Sequence, residues 1–327
     1  MKIFVSGATG FIGSRLCLKL AEAGHTVHAL YRSADKTKSI NRPGILLFRG
    51  DIMDRESLSR ALEGCEQAYH AAAFTKAWMK DRGHIYRLNI EGTLNIIGAA
   101  SEAGVKKMVV TSTAGVFGPS GNGLVDERSV PQSFFIDYET SKFILEKILT
   151  LISSTGSHVV MVNPTRVYGE GPMNDSNGVT KMIDRYTRGK WHFIPGNGNG
   201  IGNYVHVDDV VAGHILAMEK GESGERYILG GENTSYLLFF QTLRRISGKN
   251  YALFRLPLFL MLPVAHLMVA ASSLTGKGPL ITPALVRKFN MNFRVSAEKA
   301  KHDLGYAPAD LESGLKKTVD WLNSKQN

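Results

Sequence analysis

The chain has 327 residues, 43 % of them hydrophobic, and a formal net charge of +10. This length and composition suit roughly two domains with a sizeable core, which excludes a disordered protein and a single small module. Two cysteines without a CxxC pair exclude a disulfide scaffold and indicate a reducing compartment with no metal site, and the lack of a basic stripe with interleaved aromatic residues argues against a nucleic-acid partner.

The first half of the chain alternates short apolar runs with helical patterns. Its first run is followed at once by glycines and is too short for the core of a signal peptide, so we expect a cytoplasmic protein. The predicted strands are Lys2–Ser6, Thr26–Tyr31, Ile45–Arg49, Gln67–Ala71, Lys107–Ser112 and His158–Asn163. The predicted helices between them are Phe11–Ala23, Arg55–Leu62, Tyr86–Ala103 and Tyr138–Ile152.

This alternation predicts βαβ units and a parallel sheet, and the continuous Val/Ile/Ala-rich runs indicate helices on both faces. Beyond residue 166 the pattern loosens, with helical patterns at Val207–Lys220, Tyr236–Ser247 and Leu311–Leu322. We expect an α/β fold with a Rossmann-type doubly wound parallel sheet in residues 1–165, to which 204–220 return. Residues 166–327 would mainly form a smaller C-terminal substrate-binding domain.

A glycine-rich turn, GATGFIG, separates the first predicted strand from the first predicted helix. Glycines permit a tight turn, close approach to a pyrophosphate and close packing of helix on strand, and the helix N-terminus offers free N–H groups. A glycine triplet alone is a weak signal, but the strand-turn-helix context is the one that a dinucleotide site requires. The predicted cofactor residues here are Gly7, Thr9, Gly10, Phe11, Ile12 and Gly13.

The end of the second predicted strand indicates which dinucleotide binds. NAD sites usually place Asp or Glu there, whereas this chain has Arg32, and residues 1–50 carry 8 Lys/Arg against 2 Asp/Glu. An arginine pairs with a 2′-phosphate in two-point fashion. We therefore favour NADP(H) over NAD(H). In the alternative reading, Arg32 is a solvated loop charge and Asp35 binds the ribose.

Tyr138 and Lys142 stand four residues apart, on one face of a predicted helix. A phenol is a poor acid or base at neutral pH unless a nearby ammonium stabilises its phenolate, and Lys142 is placed to do so. Upstream, the run TSTAGVFG at 111–118 ends a predicted strand with hydroxyl groups. Such groups at the carboxyl edge of a parallel sheet face the ligand crevice.

Ordered motifs along nearly the whole chain resemble those of the extended short-chain dehydrogenases/reductases, in the epimerase/dehydratase group. They are GATGFIG at 7–13, GDI at 50–52, HAAA at 70–73, NIEGT at 89–93, TSTAGVFG at 111–118, YETSK at 138–142, NPTRVYGEGP at 163–172, HVDD at 206–209 and LGYAP at 304–308. Within the group, the sequence is most similar to the 3β-hydroxysteroid dehydrogenase and dihydroflavonol reductase branch.

The resemblance implies roles for particular residues. Tyr138 would be the general acid/base, Lys142 its electrostatic and ribose-binding partner, and Thr113 the residue that holds the substrate oxygen, with Ser112 as the alternative. Further cofactor contacts would come from Asp51, Ile52, Ala71, Ala72, Ala73, Pro164 and Val167. Phe74 and Trp78 would form an apolar wall for the substrate, although Trp78 could equally pack against the second domain. The family also implies a homodimer.

The 4,6-dehydratases that resemble this family carry an acidic pair just after the catalytic threonine, which eliminates water. In this chain Ala114 and Gly115 follow Thr113, and no carboxylate occurs before Asp126. Dehydration is therefore disfavoured, because proton abstraction by a paired acid has no agent. Hydride transfer to or from a small, apolar substrate is favoured, with a sugar or nucleotide-sugar epimerase as the alternative. A non-catalytic cofactor sensor would be expected to have lost Tyr138 or Lys142.

Residues 256–274 contain no formal charge and include Pro257 and Pro263. The first expectation for this segment is a kinked helix pair that roofs the substrate pocket as core of the second domain. A helix in the membrane interface is the second, and a membrane span, disfavoured by the prolines, is the third.

Overall fold

The computed structural model describes residues 1–76, 78–79, 81–174, 176–275 and 278–325. Within these ranges, one sheet contains β1 (Lys2–Ser6), β2 (Thr26–Tyr31), β3 (Ile45–Arg49), β4 (Gln67–His70), β5 (Lys107–Thr111), β6 (Val159–Pro164) and β10 (Arg226–Leu229). All its strands are parallel, in the order β10-β6-β5-β4-β1-β2-β3. This is the doubly wound, Rossmann-type sheet that the sequence predicts.

Helices cover both faces of the sheet because alternate strand residues point to opposite sides. On one face, Val5 and Val109 pack in a core with helices α1, α7 and α11; on the other, Phe4 and Val110 pack with α2, α4 and α5. The helices are α1 (Phe11–Glu22), α2 (Arg55–Leu62), α3 (Gly83–Tyr86), α4 (Gly92–Glu102), α5 (Asp137–Ser154), α6 (Gly178–Thr187), α7 (Val207–Lys220), α8 (Tyr236–Ser247), α9 (Leu258–Thr275), α10 (Pro283–Lys288), α11 (Glu298–Leu304) and α12 (Leu311–Ser324).

The loosely patterned second part of the chain forms two small sheets and its own core. The strands are β7 (Arg166–Tyr168), β8 (Phe193–Pro195), β9 (Ile201–His206), β11 (Glu232–Ser235) and β12 (Phe254–Leu256). Strand β9 lies between β7 and β11, and β12 pairs with β8. Tyr186, Phe239 and Phe240 fill the core between α6, α8 and α12. The core of the smaller C-terminal domain is therefore rich in aromatic side chains.

Strand β10 is absent from the sequence prediction. It is only four residues long, yet it pairs with β6 and extends the large sheet from beyond α7. The return of 207–220 to the sheet face is thus followed by the return of 226–229 to the sheet itself. The boundary at residue 165 stays a prediction.

The expectation of a kinked helix pair at 256–274 is wrong, because one helix, α9, covers Leu258–Thr275 with Pro263 inside it. Helix α9 is also not wholly buried in the core of the second domain. Met261 and Ala265 are buried against α10, whereas Phe259 and Leu267 are 71 % and 70 % exposed. Among the described residues, no helix is long and apolar enough to cross a membrane.

The carboxyl ends of β1, β4, β5 and β6 meet at one edge of the sheet. The order of the strands reverses between β1 and β4, the point at which open α/β sheets form a ligand crevice. The glycine turn follows β1, Ala71 follows β4, Ser112 and Thr113 follow β5, and Pro164 ends β6. The fold therefore brings the separate sequence motifs to one crevice.

Candidate active site

The glycine turn is fixed by close backbone packing. Gly7 has a φ of +69°, and the N–H of Gly10 donates to its carbonyl over 2.8 Å. A Cβ on Gly7 would lie 2.5 Å from the backbone nitrogen of Ala72, and one on Gly13 would overlap the Gly7 carbonyl oxygen. Glycine is required at both positions because the turn, helix α1 and the end of β4 touch backbone to backbone.

The N-terminus of α1 has the features of an anion-binding site. Its N-cap, Gly10, has no side chain to bond the first N–H groups, and the first turn contains no acidic residue. Phe11 is buried, while Thr9 and Ile12 are half-buried at the edge of the turn. The free N–H groups and the positive end of the helix dipole fit the diphosphate of a dinucleotide.

A surface cavity of about 380 Å³ lies at the ends of β2 and β3, lined by Arg32, Arg49, Gly50, Asp51 and Asp54. Arg32 lies 3.7 Å from Asp51, and its side chain is 68 % exposed, so it is free to turn towards another anion. The sequence reading missed Arg49. The signal was available, because Arg49 ends β3 directly opposite Tyr31 in the parallel register.

The remaining predicted cofactor residues lie around the crevice. Ile52 packs on α4, where a Cβ on Gly92 would lie 2.6 Å from its side chain. Ala71 and Ala72 are half-buried beside the glycine turn, and Ala73 is exposed. At the other side of the crevice, Pro164 is buried at the end of β6 and Val167 is half-buried on β7.

Thr113 and Ser112 have different surroundings. The Oγ1 of Thr113 accepts from the N–H of Gly115 over 3.1 Å, and the residue is half-buried at the end of β5. Ser112 is buried close to the carboxylate of Glu146. Thr113 is therefore the more accessible of the two residues.

Helix α5 carries Tyr138, Lys142 and Glu146 at intervals of four residues. Lys142 is fully buried, and its Nζ donates to the carbonyl of Thr111 over 2.9 Å. Burial lowers the pKa of Lys142 to about 8, an effect that Glu146 opposes. Burial also raises the pKa of Tyr138, with a smaller contribution from Glu139 and Glu146, so the phenol is protonated at neutral pH.

Glu146, a buried carboxyl one turn after Lys142 on α5, is missing from the sequence prediction. Burial raises the pKa of its carboxyl. Two hydrogen bonds oppose this rise, because the carboxylate accepts from Asn163 Nδ2 over 2.6 Å and from Arg226 Nη1 over 3.3 Å. Asn163 also donates to the carbonyl of Thr113 over 3.1 Å. Through Asn163, Glu146 thus connects helix α5 to Thr113, two residues after the end of β5.

Asn89 holds the loop after β4 against α5. It lies in a π-helical turn, Arg87–Glu91, between α3 and α4. Its Oδ1 accepts from the N–H of Phe74 over 2.8 Å, and its Nδ2 donates to the Phe74 carbonyl and to Ser141 Oγ. The Phe74 ring packs edge-on against His84 at 5.5 Å, and Trp78 is half-buried. A substrate role for Phe74 and Trp78 stays a prediction.

Glu139 is a carboxylate beside Gly115 that lies outside the sequence interval between Thr113 and Asp126. The side chain is buried, and a Cβ on Gly115 would lie 3.0 Å from its Oε1. Lys288 of α10 forms a short ion pair with it, and the N–H of Phe135 donates to it over 3.0 Å. The carboxylate is therefore present but engaged. Among the described residues, no cluster of three or more His, Cys, Asp or Glu could hold a metal ion.

Known proteins are similar to this chain in sequence and in fold. The profile of the NAD dependent epimerase/dehydratase family matches residues 3–230. A protein of Synechocystis sp., provisionally named dihydroflavonol 4-reductase, is 31 % identical over 98 % of this chain and 94 % of its own. The mouse sterol-4-alpha-carboxylate 3-dehydrogenase, decarboxylating, is 29 % identical over 97 % of this chain and 90 % of its own.

Among solved structures, UDP-glucuronic acid 4-epimerase from Bacillus cereus, in complex with UDP-glucuronic acid and NAD, superposes with a TM-score of 0.80. It is 26 % identical and covers 99 % of this chain and 100 % of its own. The chain belongs to the NAD dependent epimerase/dehydratase family and is an NAD(P)-dependent extended short-chain dehydrogenase/reductase of the dihydroflavonol reductase and 3β-hydroxysteroid dehydrogenase branch.

Proposed function

We propose that this protein is an NADP(H)-dependent oxidoreductase that transfers a hydride between the nicotinamide and a carbonyl/hydroxyl pair of a small, mainly apolar substrate. The observation that supports the proposal is helix α5, which carries Tyr138 four residues before Lys142, with Lys142 bonded to the carbonyl of Thr111 two residues before Thr113. The reductases and sterol dehydrogenases among the relatives favour the same reaction class.

In the reducing direction the bound nicotinamide supplies the hydride. Thr113 Oγ1 holds and polarises the substrate carbonyl, and Tyr138 donates the proton that completes the hydroxyl group. The raised pKa of Tyr138 keeps this proton in place until charge develops on the substrate oxygen. Lys142 offers its ammonium to the phenolate that remains and to the ribose beside it, and Thr111 fixes its position.

The burial of Lys142 suits this role. Its pKa of about 8 leaves the side chain mainly protonated at neutral pH, and the charge weakens as the pH rises further. Ser112 remains the alternative to Thr113, but its burial beside Glu146 favours Thr113. Dehydration stays disfavoured because Lys288 and the N–H of Phe135 occupy the Glu139 carboxylate.

We propose NADP(H) as the preferred cofactor because two arginines, Arg32 and Arg49, line the cavity in which the adenosine ribose would lie. Asp51 would contact the adenine, with Ile52 and Ala71–Ala73 beside the cofactor and Pro164 and Val167 near the nicotinamide. Asp51 would otherwise repel a 2′-phosphate, and the exposed Arg32 next to it offsets that charge.

Tyr138→Phe is the decisive test of the reaction. In a screen of ketones that follows NADPH consumption, it should lower kcat by at least roughly 100-fold because the proton donor is lost, with NADPH affinity little changed. Tyr227→Phe, which removes a hydroxyl from β10 away from the crevice, is the matched control. Undiminished turnover by the Tyr138 variant would refute the mechanism. Cofactor retained through purification, with no net NADPH consumption, would instead indicate the epimerase.

Arg32→Glu tests the cofactor preference. It should weaken NADPH binding by roughly 10- to 100-fold, because an ion pair with the 2′-phosphate becomes a repulsion, and should leave NADH binding within a few-fold. Fluorescence titration of both cofactors gives the answer, with Lys38→Glu in the neighbouring loop as the control for general charge. Tighter binding of NADH than NADPH by the unmodified protein would contradict the proposal.

We propose that helix α9 places the protein on an anionic membrane surface. Phe259, Leu260 and Leu267 of this helix are at least half exposed, and Phe193 and Phe254 of the adjoining β8–β12 pair are 51 % and 63 % exposed. Residues 233–297 contain 8 Lys/Arg and no Asp or Glu. An exposed apolar patch within a purely basic stretch suits the boundary between lipid headgroups and acyl chains.

Vesicle sedimentation tests this proposal. The protein should sediment with phosphatidylcholine vesicles that contain phosphatidylserine, and less with phosphatidylcholine alone or at high salt. The double change Phe259→Ser and Leu267→Ser should abolish sedimentation, whereas Val130→Ser, at a loop position 84 % exposed, should not. Equal sedimentation of the unmodified and doubly changed proteins, or none at all, would rule the surface out.

We also propose a homodimer through the helices that carry Tyr86 and Tyr138, as the family resemblance implies. Ile144 and Leu151, two turns apart on α5, are 38 % and 69 % exposed and would lie in this interface. Light scattering should give about twice the chain mass of 35.8 kDa, and Ile144→Glu with Leu151→Glu should give the single mass. A single mass for the unmodified protein would exclude the dimer.

A further inference from the structure

Arg166 is a half-buried cation that the proposed reaction does not use. It lies on β7, two residues after Pro164. Its Nη1 donates to the hydroxyl oxygens of Tyr204 over 2.9 Å and Tyr236 over 3.1 Å. Its guanidinium carbon lies 5.3, 5.4 and 5.8 Å from the ring centres of Tyr204, Tyr236 and Phe293. A Cβ on Gly202 would overlap this group, so the neighbouring strand leaves room for it.

Within the described part of the chain, no carboxylate lies within ion-pair distance of Arg166. Two other half-buried arginines have such partners: Arg15 pairs with Asp208 and Glu170, and Arg226 pairs with Glu146. Holding an uncompensated charge away from water costs stability, and aromatic faces recover only part of that cost. No described residue therefore compensates the positive charge of Arg166, which leaves it able to bind a negatively charged ligand.

Arg166 and the two tyrosine hydroxyl groups beside it retain hydrogen-bond donors that are not used. The hydroxyl oxygens of Tyr204 and Tyr236 accept from Nη1, which leaves their own O–H groups to donate, and no described residue accepts from them. The Nε and Nη2 groups of Arg166 have no acceptor among the described residues either. A guanidinium edge and two hydroxyl donors without an acceptor form a receptor for an anion.

The surplus of charge at this receptor is a single positive charge. Lys288 shares the Phe293 ring, with its Nζ 5.1 Å from the ring centre, but Glu139 neutralises it. One free guanidinium matches one carboxylate, which it can bind at two points, whereas a diphosphate would bring at least two negative charges among aromatic walls.

The receptor adjoins the reacting groups. Pro164, which would lie near the nicotinamide, precedes Arg166 on the same stretch, and Glu139, which follows Tyr138, reaches the Phe293 ring through Lys288. We propose that Arg166, with Tyr204 and Tyr236, binds a carboxylate of the substrate, so that the substrate class is a hydroxy- or oxo-carboxylic acid with an apolar body. This inference rests on the proposed oxidoreductase function.

Ligand binding to the full-length protein with NADP⁺ tests this without turnover. The probes are octanoate and its uncharged match 1-octanol, with inorganic phosphate and uridine diphosphate as other anions. Octanoate should bind best, and Arg166→Met should weaken it by roughly 10- to 100-fold while leaving octanol unchanged. Arg244→Met, which removes an exposed arginine of α8, is the matched control. Without ligand, Arg166→Met should melt at the same or a higher temperature, because an unpaired charge is removed.

Several outcomes would overturn the inference: equal octanoate binding by Arg166→Met, a lower melting temperature of that variant without ligand, or tighter binding of phosphate or uridine diphosphate than of octanoate. A second variant, Tyr236→Phe, keeps the ring, removes one donor and should weaken octanoate binding by roughly threefold to tenfold. Charge-selective binding without NADPH turnover of any ketone would refute the proposed function alone. Tyr138-dependent turnover with no effect of Arg166→Met on carboxylated substrates would refute this inference alone.

Discussion

The burial of Lys142 is the constraint around which the catalytic half of the sheet is organised. An ammonium without water needs an acceptor and a compensating charge, and it has the Thr111 carbonyl at 2.9 Å and Glu146 one turn along the helix. Glu146 in turn needs donors, which β6 and β10 supply through Asn163 and Arg226. The polar face of α5 thereby requires a backbone carbonyl from β5, an amide side chain from β6 and a guanidinium group from β10.

Local signals in the sequence were sufficient for the first half of the fold. Continuous apolar runs predict strands because both sheet faces are covered, and the glycines at 7 and 13 are constrained by contacts that no Cβ could share. The four residues of β10 carry no such signal, because their strand character comes from pairing with β6, more than 60 residues away. Predicting β10 therefore requires the tertiary structure.

The site shows the same division. Tyr138 and Lys142 are four residues apart, so helical periodicity alone brings them together, whereas Glu139 and Lys288 are separated by 149 residues. Arg166 has three aromatic neighbours from three other segments, and its lack of a carboxylate can be recognised only when these are in place. The two cationic positions also differ in setting: the Arg32 side chain is exposed to solvent, while Arg166 donates to the hydroxyl oxygens of Tyr204 and Tyr236.

The late position of β10 in the chain bears on how the protein is made. Residues 1–164 contain the other six strands of the large sheet. Until residue 229 has been synthesised, however, β6 is an open edge, and until residue 220 has been synthesised Val160 and Val162 lack their cover from α7. Unpaired edges of this kind recruit other chains. During synthesis on the ribosome, the edge of β6 is thus exposed for an interval. This interval ends with β10, a strand of the later part of the chain, which also forms the smaller C-terminal domain.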